Sequence, residues 1–198
     1  MTTCGVILAG GQSSRMGRNK ALLEMDDQTS IEKIYHELKD IVEEVVIIAN
    51  EPTLYRFLNV PIYQDRFVDK GPLAGIESAM YHKSEYEQYI IVACDTPLIN
   101  QDVLTYLLKE IKGYDAVIPS YDGHIHPLSG IYSAHSYQVI RERLQNNQLK
   151  IRVLFDEMNT KYIEQFDGFS EEVLANHFFN MNYPEQYHWV IGNNSTQV

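Results

Sequence analysis

The residues best suited to chemistry crowd into the start of the chain. The stretch Leu8-Ala-Gly-Gly-Gln-Ser-Ser-Arg-Met-Gly-Arg-Asn-Lys20 closes an apolar run with Gly10-Gly11 and then supplies Arg15, Arg18 and Lys20. The first carboxylate is Glu24, although the 198-residue chain carries a formal net charge of -11. A glycine pair after a strand lets backbone approach a ligand with no Cβ in the way. Consecutive N–H groups in such a turn make an anion-binding concavity. Arg15 as a planar fork and Lys20 as a point charge suit phosphate oxygens. The plainer alternative is a strand-to-loop turn with solvated cations. Two common phosphate motifs do not fit. Gly11, Gly17 and Lys20 are wrongly spaced for the P-loop, and the dinucleotide pattern GxGxxG is missing.

Other reactive groups are sparser. Cys4 and Cys94 are the only cysteines and form no CxxC pair, so they read as reduced thiols beside buried strands. His124 and His126 would share one face of a strand, but no third ligand is evident, and they read as surface or hydrogen-bonding histidines. The 14 tyrosines are scattered and read as packing at core margins. With 44% hydrophobic and 22% charged residues the chain is globular. Its acidity argues against nucleic acid and anionic membrane as general partners. No apolar run approaches the roughly 20 residues of a membrane span, and no basic leader with a long apolar stretch opens the chain. A cytoplasmic protein is expected.

The elements that must position these groups follow from hydrophobic periodicity. Val6–Ala9, Val45–Ala49, Val60–Tyr63, Tyr89–Ala93, Ala116–Ile118 and Leu128–Tyr132 read as strands. Thr29-Ser-Ile-Glu32 has capping-box spacing and leads into Ile31, Ile34, Tyr35, Leu38 and Ile41 at helical intervals. Gly71-Pro72 opens a helix through about His82. Asn100 caps a helix that buries Val103, Leu104, Leu107, Leu108 and Ile111 and ends at Gly113. Helical patterns return near 135–145 and 150–158, and a loose polar tail is expected over 192–198. The alternation implies an α/β fold: a three-layer, mostly parallel sheet with helices on both faces, in one domain over 1–191. Ligands of such sheets lie beyond the carboxyl ends of the strands, so Gly10-Gly11, Asn50, Asp65 and Asp95 should gather along one edge.

The opening stretch resembles the signature LAGGxSxRMGxxK of nucleotidyltransferases that activate small molecules. Leu8, Ala9, Gly10, Gly11, Ser13, Arg15, Met16, Gly17 and Lys20 all fit it. Within that superfamily the chain resembles the molybdenum cofactor guanylyltransferases. The supporting marks are Asn50, Asp65, Gly71-Pro-Leu-Ala-Gly75, Cys94-Asp95-Thr96-Pro97, His126-Pro127 and Asn180-Met-Asn182. The late motif departs from the usual Thr-Pro-Glu-Glu continuation, with Tyr183-Pro184-Glu185-Gln186, and the usual paired basic residues appear only as Lys150 and Arg152.

The resemblance implies a Rossmann-like nucleotidyltransferase fold, with the nucleotide-binding part over about 1–100 and the acceptor-binding part over about 101–191. It implies GTP and the molybdopterin form of the molybdenum cofactor as substrates, with the guanine dinucleotide cofactor and pyrophosphate as products. The nucleophile, a pterin phosphate oxygen, is already ionised, so alignment and charge neutralisation suffice. Arg15, Lys20 and Asp95 take the catalytic roles. Leu8, Ala9, Gly10, Gly11, Lys20, Asn50, Asp65, Gly71 and Asp95 bind nucleotide. Asp65 would accept from guanine N1 or N2, or else cap a turn. Asp95 would hold Mg2+ with several waters and phosphate oxygens. Asn182 would add a second oxygen to the metal, bind the acceptor or cap a helix. His126, Asn180 and Asn182 form the acceptor side. Transient docking with cofactor-delivering or acceptor proteins is a further expectation. The rivals are a cytidylyltransferase acting on the same pterin, another small-molecule nucleotidyltransferase, and a catalytically silent nucleotide-binding regulator. The intact Lys20 and Asp95 speak against the last.

Overall fold

The computed structural model describes residues 1–10 and 19–194. Gly11, Ser13, Arg15, Met16 and Gly17 lie outside the described residues. The apolar runs become strands β1 (Thr3–Leu8), β4 (Glu44–Ile48), β6 (Gln88–Ala93), β7 (Ala116–Tyr121) and β9 (Ser129–Ser133). Short strands β2 (Glu24–Met25) and β3 (Gln28–Thr29) form a separate hairpin, and β5 (Ile62–Tyr63), β8 (His124–Ile125) and β10 (Thr160–Ile163) complete the set. The helices are α1 (Ser30–Lys39), α2 (Pro72–His82), α3 (Gln101–Lys109), α4 (Tyr137–Gln145), α5 (Ile151–Leu154), α6 (Glu171–His177) and α7 (Pro184–Asn194).

The main sheet runs β10-β7-β9-β6-β1-β4-β5, with β8 paired to β7. The pairs β1–β4, β1–β6, β4–β5 and β7–β10 are parallel. β9 lies antiparallel between β6 and β7. Alternate residues of each strand feed opposite layers. Ile7, Ile47 and Ile90 pack against α1 and α3, whereas Val6, Leu8, Val46, Ile48 and Ile91 pack against α2 and α4. Burial on both faces explains why these strands read as continuous apolar runs.

Local signals set most boundaries. Thr29 caps α1 through the full reciprocal capping box with Glu32. Asn100 caps α3 by accepting from Asp102 and Val103 N–H. Four expectations need correction. The third strand begins only after Pro61, which has no N–H for a ladder. The helix expected to end at Gly113 ends at Lys109, and Gly113, with φ +86°, turns the chain beyond it. The helix expected over 150–158 is the single turn α5. The segment expected to loosen at Gly192 is helical through Asn194, because Val190 and Ile191 pack with Leu23, Met25 and Met181.

Candidate active site

The carboxyl ends of β1, β4, β5 and β6 form one edge, and of the residues expected there Gly10, Asn50, Asp65 and Asp95, which are described, follow these strands. Lys20 begins a 3-10 turn, Lys20–Leu22, capped by Asn19, whose Oδ1 accepts from Ala21 N–H. The Asn19 amide also donates to the buried Tyr55 hydroxyl at 2.9 Å, and Ala21 is wholly buried. Lys20 is thereby anchored on both sides. Asp95 follows β6 in a tight turn in which the Thr96 hydroxyl donates to Ala93 O at 2.8 Å. Cys94 N–H bonds Leu8 O, and the Ser30 hydroxyl bonds Cys94 O, so β1 and α1 both fix this turn.

Asn182 arrives from the far end of the chain. Met181 N–H donates to Asp95 O at 2.7 Å, which joins the late segment to the turn after β6. Lys20 Nζ donates to Asn182 Oδ1 at 2.6 Å and lies 3.9 Å from Asp95 Oδ2. Burial raises the Asp95 carboxyl above the usual range, and the Lys20 ammonium opposes that shift. Gln186, in the first turn of α7, accepts from Asn182 N–H at 2.6 Å and Tyr183 N–H at 2.9 Å. Tyr183 lacks the hydroxyl of a capping threonine next to the backbone, so Gln186 alone supplies the side-chain half of a capping box here.

Farther along the edge, Asn50 hydrogen-bonds the Asp65 carboxylate, which burial raises above its ordinary range. Asp65 Oδ1 is buried with no hydrogen-bond partner among the described residues. Gly10 faces this pair: a Cβ there would sit 3.7 Å from Asp65 Oδ2 and 3.8 Å from Asn50 Nδ2. Gly75, in α2, packs still closer, with a Cβ position 2.9 Å from Leu8 Cδ2 and 3.5 Å from Asp65 Oδ1. Gly71, the N-cap of α2, has φ +70°, a left-handed backbone that favours glycine. Leu8 and Ala9 line the same edge, and Ala9 N–H bonds Ile48 O.

At the other end, His126-Pro127 precedes β9 beside β6 and β7. The His126 ring packs against Phe178 at 4.5 Å, bonds the Tyr121 backbone and leaves a buried Nε2 with no partner among the described residues. Desolvation lowers its pKa. His124 is exposed, and no cluster of three or more His, Cys, Asp or Glu side chains capable of holding a metal occurs among the described residues. Asn180, half-buried, bonds Phe178 O. Burial pushes both cysteine thiols up to about 12, which keeps them protonated.

Periodicity gave no sign of three side chains. His177 accepts from Asn100 N–H at Nδ1 and donates from Nε2 to the Ser129 hydroxyl, so it ties the α3 cap to α6 and β9. Gln186 holds Asn182, and its offset three residues after Tyr183 was the available signal. Glu77 is fully buried within α2 and paired with Arg66.

Known proteins share both the sequence and the fold. Residues 5–161 match the family model of the MobA-like NTP transferase domain. A probable molybdenum cofactor guanylyltransferase of Carboxydothermus hydrogenoformans is 39% identical over 91% of each chain. One from Clostridium perfringens is 38% identical, over 91% of this chain and 92% of its own. The crystal structure of molybdopterin-guanine dinucleotide biosynthesis protein A from Archaeoglobus fulgidus superposes with a TM-score of 0.83 at 23% identity, covering 98% of this chain and 100% of that one. A CMP:2-keto-3-deoxy-manno-octonic acid synthetase solved with CTP superposes at 0.76 with 13% identity, over the full length of both. The fold is thus the Rossmann-like fold of nucleotidyltransferases.

Proposed function

Because the chain belongs to the MobA-like NTP transferase family, we propose that it transfers GMP from GTP to the molybdopterin form of the molybdenum cofactor. The products are the guanine dinucleotide cofactor and pyrophosphate. The observation that carries this reading is the convergence of Lys20, Asp95 and Asn182, from three distant parts of the chain, on one sheet edge.

The donor set suits a hard divalent cation: a carboxylate from Asp95 and an amide oxygen from Asn182, with room for waters and phosphate oxygens to complete the shell. Magnesium held there would neutralise charge on the triphosphate. Lys20 directs its ammonium to the same place and binds the phosphates and the departing pyrophosphate, a role shared with Arg15. No general base is needed, since the attacking phosphate oxygen is already ionised, and the protein's work is alignment. Gly10, Gly11, Leu8, Ala9 and Gly71 bring backbone close to the nucleotide. Asn180 and Asn182 face the acceptor, with His126 shaping the wall beside them.

Asp65 supports guanine as the base. Its buried Oδ1 lacks a donor among the described residues, and guanine presents adjacent N1–H and N2–H donors. Cytosine and adenine set a ring-nitrogen acceptor beside their amino group, where guanine has N1–H, so one carboxylate contact would be mismatched, at roughly 1–3 kcal/mol per group. The test is pyrophosphate release from GTP, CTP and ATP with magnesium and the molybdopterin cofactor, paired with melting shifts by each nucleotide. GTP should support turnover and stabilise the fold by about 2.7 kcal/mol at 100 times its dissociation constant. A larger shift and faster release with CTP would assign the protein to cytidylyl transfer.

A further inference from the structure

α2 is apolar over most of its length: Leu73, Ala74, Ile76, Ala79 and Met80 are buried in it. Glu77 and Ser78 are fully buried in the same helix, and Glu77 Oε2 has no partner among the described residues. A carboxylate in that position is costly unless it is paired. Burial raises the Glu77 carboxyl, while Arg66 and the Tyr137 hydroxyl pull it back.

Both buried polar groups converge on one residue. Ser78 Oγ accepts from Arg66 N–H at 2.8 Å. Glu77 Oε1 accepts from Arg66 Nη1 at 2.6 Å and from the Tyr137 hydroxyl at 3.2 Å. The Arg66 guanidinium also lies 3.3 Å from the centre of the Tyr81 ring. α2 thus holds Arg66 at its backbone, its fork and its flat face, and Arg66 Nη1 also donates to the Tyr137 hydroxyl of α4 at 3.5 Å. The neighbouring residue is Asp65, whose carboxylate rests on the bare backbone of Gly75 in the same helix. α2 therefore supports the Asp65-Arg66 segment from both sides.

We propose that Glu77 is a positioning residue for base selection: by holding Arg66 it fixes the aim of the Asp65 carboxylate toward a base that presents a ring N–H beside an exocyclic amino group. This rests on the reading of Asp65 as the guanine acceptor. The arrangement needs only one Glu77 oxygen, which accounts for the idle Oε2. It also accounts for an ion pair where an apolar pair would fill the same space.

The experiment compares the dissociation constants of GTP, ITP and CTP, with magnesium, for wild type, Glu77→Gln and Arg66→Met. ITP lacks only the exocyclic amino group. Wild type should favour GTP over ITP by about tenfold or more, the scale of one lost hydrogen bond in a built site. In both variants GTP, which offers both donors, should weaken most, by about tenfold or more, ITP, which keeps the ring N–H alone, should weaken less, and CTP should change less than about twofold, so the preference for GTP narrows. Arg66→Met alters a partly exposed side chain and keeps the test decisive should Glu77→Gln fold poorly. A merely structural role would lower affinity for all three nucleotides together, or only the melting temperature, and either result overturns the inference. A wild-type preference that survives intact in both variants overturns it as well. Wild type binding GTP and ITP alike overturns the reading of Asp65 itself, and is distinguishable because it shows before any substitution.

Discussion

Asp95 carries two jobs in different atoms. Its backbone oxygen receives Met181 N–H and joins the late segment to the sheet edge, while its carboxylate faces the Lys20 ammonium. Asp95→Asn leaves the first job untouched and removes only the charge. Burial already raises this carboxyl, so the loss of charge should leave stability unchanged or slightly higher. On the proposed reading that charge holds magnesium against the triphosphate, so turnover should fall by roughly a hundredfold to a thousandfold, as when other preorganised electrostatic groups are removed. Steady-state pyrophosphate release and a melting curve on the same preparation check both halves. A variant that keeps most of its rate would remove Asp95 from the metal site.

A similar division operates in the element that delivers Asn182. α7 starts at Pro184, which suits a first helical turn, and Gln186 captures the N–H groups of Asn182 and Tyr183. Gln186→Ala should cost about 1 kcal/mol, the scale of a lost helix cap, and should raise the magnesium concentration needed for half-maximal rate. Gln186→Glu keeps both acceptors and should restore both values. Urea denaturation and a magnesium titration read the two effects, and an alanine variant with wild-type magnesium dependence would show that Asn182 needs no such support. The elements themselves were legible in sequence because burial on both faces leaves a strong periodic signal, as in Val45–Ala49 and the α1 stripe. The Asp95 turn, Asn50 and Asp65 were legible because a strand-end rule and a resemblance pointed to the same places. Gln186, His177 and the Glu77–Arg66 pair were not. Their partners lie across the fold or, for Gln186, inside a departure from the familiar motif, and hydrophobic periodicity is silent about either.

The whole molecule is joined at a point that titrates. Wholly buried His177 links the cap of α3 through Asn100, the antiparallel strand β9 through Ser129, and α6, on which it sits. Asn100 N–H donates to Nδ1, so the neutral ring carries its proton on Nε2 and gives it to the Ser129 hydroxyl. A second proton would have to enter at Nδ1 against that N–H and bring a charge into the core. Desolvation chiefly, with His126 nearby, lowers the pKa to about 3, against about 6.5 in the unfolded chain. Between those values the unfolded chain binds one proton more than the folded one, so stability rises with pH across the window and is lost as the pH falls through it. Asp65, Glu77 and Asp95, whose folded pKa values are raised, work in the opposite sense just above the carboxylate range. Comparison with a variant isolates the histidine. His177→Asn keeps an acceptor for Asn100 N–H and does not titrate. It should be less stable than wild type at pH 7, because the smaller side chain leaves a gap and loses Ser129. That deficit should shrink on acidification, by up to about 1.4 kcal/mol per pH unit below about 6.5, or about 2.7 kcal/mol by pH 4.5. Urea denaturation of both proteins at pH 7 and pH 4.5 measures the gap directly. If the gap is equal at the two pH values, the junction of these three elements does not depend on a neutral His177.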